Sequence, residues 1–291
     1  MKKSFSILFL ISFLFSGSFK AQAEDPVVIE QAPQKLRFGL KGFMSIGWLN
    51  PENIKILQRG RIGIGSGWGL NTELYMNKTT SFRTGFSLST FSAGVVYDED
   101  KQIYHVISTD SEFQLWNEEP QYIPPNGELY RLTKRQYKIN YINLPLLLKL
   151  KTKEIGYMTY FGEFGGLIGF KTKASVNDDI NRIVVTDTSD VLFLEPSTES
   201  DGEYSLNDGI QPIRAALCIG AGAEYNFSGS TALFFQLNWN YFMNSVTKNQ
   251  LKDNYLRSFE PSVEPGISGK FERINSKAIP GSFHLTVGIL F

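Results

Sequence analysis

The segment from Phe283 to Phe291 alternates large apolar side chains with small or polar ones, and this alternation limits the possible folds more than any other feature of the chain. Odd positions carry Phe, Leu, Val, Ile and Phe, whereas the even positions begin with His, Thr and Gly. Successive side chains of a strand point to opposite faces, so one face suits lipid and the other a polar interior. The segment therefore predicts the closing strand of a membrane-spanning β-barrel.

Seven further segments show the same alternation, and each is long enough to cross a bilayer at a tilt. They are residues 36–48, 61–76, 81–96, 136–151, 157–172, 213–227 and 231–243. The fourth changes parity, because its apolar side chains occupy odd positions up to Tyr141 and even positions from Leu144 onward. We predict a β-bulge near Ile142 and Asn143 that returns them to one face, with Pro145 on the inward parity.

Charged residues of the eight segments share the parity opposite to the apolar face. These residues are Arg37, Lys41, Glu73, Arg83, Lys138, Lys149, Glu163, Lys171, Arg214 and Glu224. A slip of one residue would move them into lipid, at a cost of roughly 2–4 kcal/mol for each Lys or Arg near the midplane. A soluble β-sandwich also alternates, but it needs neither such long strands nor charges packed inside.

The interior of an eight-stranded barrel is just wide enough to be filled by its own side chains. We therefore expect the inward charges to pair and to plug the lumen as a structural network. Its expected members are Arg37, Lys41, Glu73, Arg83, Glu163, Lys171, Arg214 and Glu224. This network argues against a wide aqueous pore.

The first residues have the features of a cleaved export signal. Lys2 and Lys3 precede an apolar run from Phe5 to Phe15, and an A-x-A site ends at Ala23. We predict a signal peptide over residues 1–23, a short periplasmic segment over 24–35 and an outer-membrane β-barrel domain over 36–291. No later apolar run approaches the roughly 20 residues of a membrane helix.

The connections alternate between short and long, as an up-and-down barrel requires. Residues 77–80, 152–156 and 228–230 form tight turns, whereas 98–135, 173–211 and 245–280 are long and polar. The predicted fold is all-β: an eight-stranded antiparallel up-and-down transmembrane β-barrel with short periplasmic turns and long extracellular loops. The loops contain aromatic side chains that suit contact with a partner protein, namely Trp116, Tyr122, Tyr130, Phe193, Tyr204, Tyr255 and Phe259.

Few residues suggest chemistry, and we expect no catalytic, cofactor-binding or metal-binding site. The Lys plus Arg count of 29 equals that of Asp plus Glu, so no electrostatic case exists for a nucleic-acid partner. Gly63, Gly65, Gly67 and Gly69 have the period of a strand rather than that of a nucleotide-binding loop. His284 has the inward parity, where a structural histidine is expected more often than a catalytic base.

Three short motifs resemble the PorT-like outer-membrane β-barrel family of Bacteroidetes. They are Tyr-Ile-Asn-Leu-Pro-Leu-Leu-Leu-Lys at 141–149, the aromatic and glycine-rich run at 162–169, and Gly-Ala-Gly-Ala-Glu-Tyr at 220–225. The resemblance implies an eight-stranded barrel in the outer membrane of a Gram-negative bacterium. The founding member of that family is linked to type IX secretion, and the family supplies no catalytic residues.

Three classes of function remain after these arguments. The favoured one is a non-enzymatic envelope or secretion-accessory protein that presents its long loops to a secretion-machinery or surface protein. The alternatives are a lipid-modifying enzyme with a Ser-His site and a small channel for apolar ligands. Other expected partners are outer-membrane lipid and, through the strand that ends at Phe291, the barrel-assembly machinery.

Overall fold

The chain forms thirteen β-strands and one short 3-10 helix in a computed structural model, which describes residues 36–108, 113–114, 127–188, 191–229, 231–248, 256–260 and 270–291. The strands are β1 (Leu36–Pro51), β2 (Leu57–Tyr75), β3 (Thr80–Tyr97), β4 (Ile103–Ser108), β5 (Phe113–Gln114), β6 (Gly127–Lys151), β7 (Met158–Thr188), β8 (Val191–Ser205), β9 (Ile213–Ser228), β10 (Thr231–Phe242), β11 (Arg257–Glu260), β12 (Lys270–Arg273) and β13 (Ala278–Leu290). The 3-10 helix is Glu99–Lys101. Among these residues, no helix has the length and apolarity needed to cross a bilayer. The predicted signal peptide and the segment 24–35 lie outside the described residues.

Eight of the strands pair in a closed antiparallel ring, in the order β1-β2-β3-β6-β7-β9-β10-β13 and back to β1. Each contains, to within a residue or two, the whole of one of the eight predicted segments, so the predicted barrel is confirmed. The β1–β13 pairing closes the ring and runs from Gly39 opposite Leu290 to Pro51 opposite Ala278. Beyond it, Phe38 and Phe291 exchange two backbone hydrogen bonds of 3.0 and 2.8 Å. No ring strand therefore presents an unpaired edge at this seam.

Side chains of the ring alternate between an exposed apolar outer face and a buried inner face. In β1 the alternation is strict over most of the strand, with Met44 59% exposed and the neighbouring Ser45 buried. In β10, Leu233, Phe235 and Leu237 face outward. This apolar outer band is the surface that lipid contacts in a membrane barrel.

The three tight turns all join neighbouring ring strands at one end of the barrel, which we call the short-turn end. Between β2 and β3, the Asn77 side-chain oxygen accepts hydrogen bonds from the backbone amides of Thr79 and Thr80 at 2.9 and 2.7 Å. Gly156 and Gly229 take φ angles of +66° and +52° in the other two turns, which glycine adopts without strain. The predicted turns are thus built by local side-chain and backbone chemistry.

At the opposite end, which we call the long-loop end, β6 and β7 continue well beyond the ring. They contain 25 and 31 residues, whereas a membrane strand needs roughly 9–11. Strands β4 and β8 pair with these distal parts, β5 and β11 pair with β4, and β12 pairs with β11. We call this set of strands, with residues 127–140 of β6 and 173–188 of β7, the extension. The segments predicted as long polar loops therefore contain much sheet.

A bulge explains why the sequence pattern missed the extension. Asn140 pairs with Lys173 and Tyr141 with Lys171, which leaves Thr172 without an opposite residue. Inward side chains of β7 therefore change from odd numbers, such as Glu163, to even numbers, such as Val176. The alternation resumes out of phase, so the pattern appeared to end near residue 172.

The bulge predicted within β6 near Ile142 and Asn143 was wrong. Odd-numbered side chains of β6 face inward without interruption from Arg135 to Lys149, and Pro145 is among them. Tyr137, Ile139 and Tyr141 enter an apolar core at the long-loop end, whereas the even-numbered leucines that follow face outward. Apolar residues thus occupy both faces at different heights. For the same reason the inward assignment of Lys138 was wrong, because Lys138 is exposed on the outer face.

We predict that deletion of Phe291 impairs barrel assembly, because it removes both backbone hydrogen bonds with Phe38 and an outward aromatic ring. Each backbone bond contributes roughly 0.5–1.5 kcal/mol. The assembled fraction can be measured from the difference in gel migration between unheated and boiled samples. Phe291→Ala retains both backbone bonds and should assemble better than the deletion. Equal assembly of the deleted and parent chains would contradict the prediction.

Candidate functional site

The barrel interior contains two zones stacked along its axis. The short-turn half holds ion pairs and hydrogen-bonded polar side chains, whereas the long-loop half holds an apolar core. That core includes Leu49, Leu57, Phe91, Tyr97, Ile103, Leu132, Tyr137, Ile139, Tyr141 and Ile210. The two zones together determine whether the barrel can act as a channel.

Two glutamates and three cations form the cluster nearest the short-turn end. Glu73 of β2 and Glu224 of β9 both contact the Lys149 Nζ atom from β6. Lys151 Nζ lies 3.2 Å from Glu73 Oε2 and 2.9 Å from Glu224 Oε1. Arg37 Nη1 lies 3.1 Å from Glu224 Oε2. All five side chains are nearly or fully buried, so each charge depends on its partners for stabilisation.

Aromatic side chains complete this cluster. The Tyr75 hydroxyl accepts a 2.7 Å hydrogen bond from Lys151 Nζ. Lys149 Nζ lies 4.1 Å from the ring centroid of Phe161, within the range of a cation–π contact. Excess positive charge is therefore shared among carboxylates, a hydroxyl and a ring.

A second network crosses the middle of the lumen. Arg83 Nη1 lies 2.8 Å from Glu163 Oε2 and donates a 2.7 Å hydrogen bond to Gln236 Oε1. Asn238 Nδ2 donates to Glu163 Oε1 at 2.5 Å, and Gln236 Nε2 donates to the same oxygen. The network links β3, β7 and β10 across the barrel and fills its cross-section.

Three of the predicted network residues lie apart from these clusters. Arg214 donates to Asn143 Oδ1 at 2.9 Å and stacks 3.6 Å from the Tyr141 ring centroid, so aromatic faces replace the expected carboxylate. Lys41 has no ion pair among the described residues and borders a residual cavity. Lys171 lies just before the extension, where its Nζ donates to the backbone carbonyls of Asn207 and Ile210.

The residual cavity is small, at about 30 Å³. Its lining includes Lys41, Cys218 and His284. His284 stacks on Phe43 at 5.1 Å, and its Nε2 atom lies 3.1 Å from Ser282 Oγ. Ligand pockets measure roughly 300–1,000 Å³, so this cavity does not admit an organic substrate.

The extension has its own buried polar centre. Arg135 donates two hydrogen bonds to Asp178, at 2.8 and 2.6 Å. Nearby, His105 is fully buried among the rings of Phe113, Tyr130 and Tyr204, and neither ring nitrogen has a hydrogen-bond partner among the described residues. Burial, with a smaller effect of Arg135, holds the pKa of His105 well below its usual range. The imidazole is therefore neutral.

The predicted network left out central members of two of these groups. Lys149 was assigned to the inward parity but not to the network, and Lys151, two residues further along β6, was not considered although it shares that parity. Arg135 and Asp178 fell in segments predicted as loops, so parity gave no signal for them. Within the described residues, no three His, Cys, Asp or Glu side chains are grouped as metal ligands.

Glu73→Gln should lower the free energy of unfolding by about 3 kcal/mol, because it leaves Lys149 and Lys151 buried with one carboxylate fewer. Urea-induced unfolding in lipid vesicles measures this change. The double variant Glu73→Gln with Lys149→Met should recover much of the loss, since one buried cation leaves with the carboxylate.

Glu52→Gln is the matched control for this prediction. Glu52 lies 3.9 Å from Lys277 in a partly exposed pair at the long-loop end, where an ion pair contributes about 0–1 kcal/mol. A loss of stability in Glu73→Gln no larger than in Glu52→Gln would contradict the structural role of the cluster.

Comparison with known proteins gives a family match and several structural likenesses. Among solved structures, the chain is similar to Neisserial surface protein A (9% identity, TM-score 0.36, covering 87% of this chain and 95% of that one). It is also similar to the attachment invasion locus protein Ail of Yersinia pestis (8% identity, TM-score 0.31, 88% and 99% covered). A third is a major outer membrane protein from Thermus thermophilus (10% identity, TM-score 0.35, 88% and 98% covered). The search of curated proteins found no match.

The family match is independent of these likenesses. The model of the family described as "Outer membrane protein beta-barrel domain" matches residues 20–248, well over half of the 291 residues. The eight-stranded ring with its apolar outer band agrees with that family. The chain therefore belongs to the outer membrane protein beta-barrel domain family, and its place is the outer membrane.

Proposed function

We propose that the protein is a non-enzymatic outer-membrane barrel whose extension presents a binding surface to a partner protein outside the cell. The observation that supports this most directly is the contrast between a filled interior and a large ordered extension. Ion pairs and an apolar core occupy the lumen, whereas strands β6 and β7 project beyond the ring and are joined by five further strands. Binding groups held on a rigid scaffold are a common basis for recognition.

Packing within the extension supports the idea that its shape is preorganised. Phe271 stacks edge to face on Tyr104 at 5.8 Å, and Phe259 contacts Phe271 at 5.0 Å. On its outer surface, Arg182 pairs with Glu128, whose carboxylate also accepts a 2.6 Å hydrogen bond from Tyr130. A preformed surface binds a partner without the entropy cost of ordering a loop.

The aromatic residues expected to be exposed in the loops are partly buried where the structure describes them. Tyr130, Tyr204 and Phe259 pack against the apolar clusters of the extension, so their expected exposure was wrong. Trp116, Tyr122 and Tyr255 lie outside the described residues, as does the side chain of Phe193. Any binding surface therefore rests on the shape and charge of the sheet as much as on exposed rings.

The resemblance to the PorT-like family of Bacteroidetes supports a finer proposal. Under it, the barrel is an accessory of protein secretion or of the cell envelope, and its partner is a secretion-machinery or surface protein. The 141–149 motif that carries the resemblance lies in β6, where it supplies outward leucines and the inward Lys149. The motif therefore builds the barrel, and the extension is where we place the partner.

One observation favours a different function, that of a lipid-modifying enzyme. Ser282 Oγ lies 3.1 Å from His284 Nε2, and Asn240 Nδ2 donates to the same oxygen at 3.3 Å. A serine beside an imidazole is the arrangement of an activated nucleophile. However, Ser282 is completely buried on the inner face, away from the lipid-facing wall. A channel for apolar ligands, the other alternative, is opposed by the filled lumen.

Shortening the extension should remove the cellular role without unfolding the barrel. The variant replaces residues 181–199 by Asn-Gly, which joins Ile180 to its cross-strand partner Ser200. The ring pairings of β7 with β9 are untouched. Surface and secreted proteins of the source bacterium are quantified after deletion of the gene and after complementation with each variant. The parent chain should restore the protein pattern, and the shortened chain should not.

Lys78→Gln with Lys153→Gln is the control for this experiment, because both side chains are exposed at the short-turn end and should be dispensable. Heat-dependent gel migration verifies that all variants are assembled to equal levels. Restoration of the pattern by the shortened chain, or an unchanged pattern after deletion of the gene, would refute the proposed role.

His284→Ala distinguishes the enzyme alternative. Because Ser282 and His284 are enclosed by the lumen, we expect no change in the envelope lipids of cells that carry the variant. Mass spectrometry of extracted lipids measures this outcome. An altered lipid profile with normal barrel assembly would favour the enzyme over the binding protein.

A further inference from the structure

A group of exposed cations lies on one outer wall of the barrel, directly above the apolar band. The band ends at Leu88 on β3, Ile142 on β6 and Phe170 on β7. Toward the long-loop end, the next outward side chains are polar and then basic. The basic residues are Arg59, Arg61, Lys134, Lys138 and Lys173.

Strand register places two of these cations close together and a third on the same wall. Lys138 lies opposite Ser92 of β3 on one side and Ser175 of β7 on the other. Lys173 pairs with Asn140, so it is the diagonal neighbour of Lys138, a relation that separates two residues by about 7–8 Å. Arg61 lies beside Gly94, two residues along β3 from Ser92. One anionic group can therefore contact Lys138 and Lys173, whereas Arg61 lies two strands away from Lys138 and can contact a second anionic group of the same ligand.

These three cations are available for a ligand. Arg61, Lys138 and Lys173 have no ion pair among the described residues. Lys134 pairs with Asp179 at 3.3 Å, and Arg59 donates to Asn50. At the opposite side of the same rim, Lys277 is balanced by Glu52 at 3.9 Å. The positive charge is thus concentrated on the wall formed by β2, β3, β6 and β7.

Two grooves in the same wall provide a place for the ligand. The lower one, of about 380 Å³, has Trp68 and Leu88 at its apolar side and Thr90, Asn140 and Thr172 at its polar side. Thr90 donates to Asn140 Oδ1 at 3.0 Å, and the Thr172 hydroxyl donates to the Asn140 carbonyl at 3.2 Å. The upper groove, of about 650 Å³, is lined by basic residues of the group, with Gln136 and Asn177.

We propose that this wall binds one phosphorylated glycolipid of the outer leaflet. Its phosphates would contact Arg61, Lys138 and Lys173, its sugar would lie in the grooves beside the Thr and Asn side chains, and its acyl chains would follow Trp68 and Leu88 along the apolar band. The long-loop end of an outer-membrane barrel faces outward, so the cations lie at the height of the outer-leaflet headgroups. Cations next to a membrane attract anionic headgroups, and a groove with an apolar floor and polar rim matches a lipid headgroup better than a soluble anion. This inference depends on the outer-membrane family and not on the proposed partner of the extension.

Native mass spectrometry of the intact detergent-solubilised protein, titrated with bis-phosphorylated lipid A and separately with its dephosphorylated form, tests the proposal. The parent chain should retain the phosphorylated lipid and bind the dephosphorylated form much more weakly. Lys138→Gln with Lys173→Gln should bind the phosphorylated lipid roughly 10- to 30-fold more weakly. Millimolar inorganic phosphate should not displace the lipid.

Lys78→Gln with Lys153→Gln removes the same charge from the short-turn end and should bind like the parent chain. Heat-dependent migration of each variant shows that it is assembled, and Arg61→Gln alone provides a third variant with an intermediate expected loss. Equal binding of both lipid forms, equal loss in the two double variants, or displacement by inorganic phosphate would each overturn the proposed site.

Discussion

Backbone hydrogen bonding in lipid is the constraint on which this structure depends. Lipid provides no donor or acceptor, so every amide and carbonyl of a spanning segment must pair within the protein. The ring satisfies this requirement by closing β1 on β13, and the Phe38–Phe291 bonds extend the closure to the last residue. Closure also determines the register. Once β1 is paired on both sides, a slip in one strand would move its inward charges toward lipid and its apolar side chains into the lumen.

The charges inside the barrel follow from this register. Cations and carboxylates that point inward are removed from both lipid and bulk water, so they must satisfy one another. Glu73 and Glu224 share Lys149 and Lys151, whereas Glu163 is held by Arg83 with two amide side chains. Where no carboxylate is within reach, an aromatic ring makes a cation–π contact instead, as the Tyr141 ring does with Arg214. The result is a filled lumen, which is the observation behind the binding role that we propose.

Beyond the membrane, water can satisfy the backbone and the closed ring is no longer required. There β6 and β7 continue as a sheet with β4 and β8, and the bulge at Thr172 changes which side chains of β7 face the core. The outer face of the same wall changes from leucine and phenylalanine to threonine, asparagine and lysine at that level. One wall thus combines the start of the extension with the cations that we assign to a phosphorylated lipid.

Apolar side chains alternate along the chain, with charges on the opposite parity. This pattern was sufficient to predict the eight ring strands, the three tight turns between them, and the outward or inward direction of most side chains. The reason is that lipid imposes a period of two directly on the sequence. Tertiary structure alone decided the rest. The outward direction of Lys138 and the burial of Tyr137 depend on the height of each residue along the barrel axis. The pairing of each cation with a carboxylate depends on partners contributed by distant strands. The extension was not predicted for two reasons. Outside the membrane a sheet can be buried on either face, and the unpaired residue Thr172 reverses which parity of β7 faces inward.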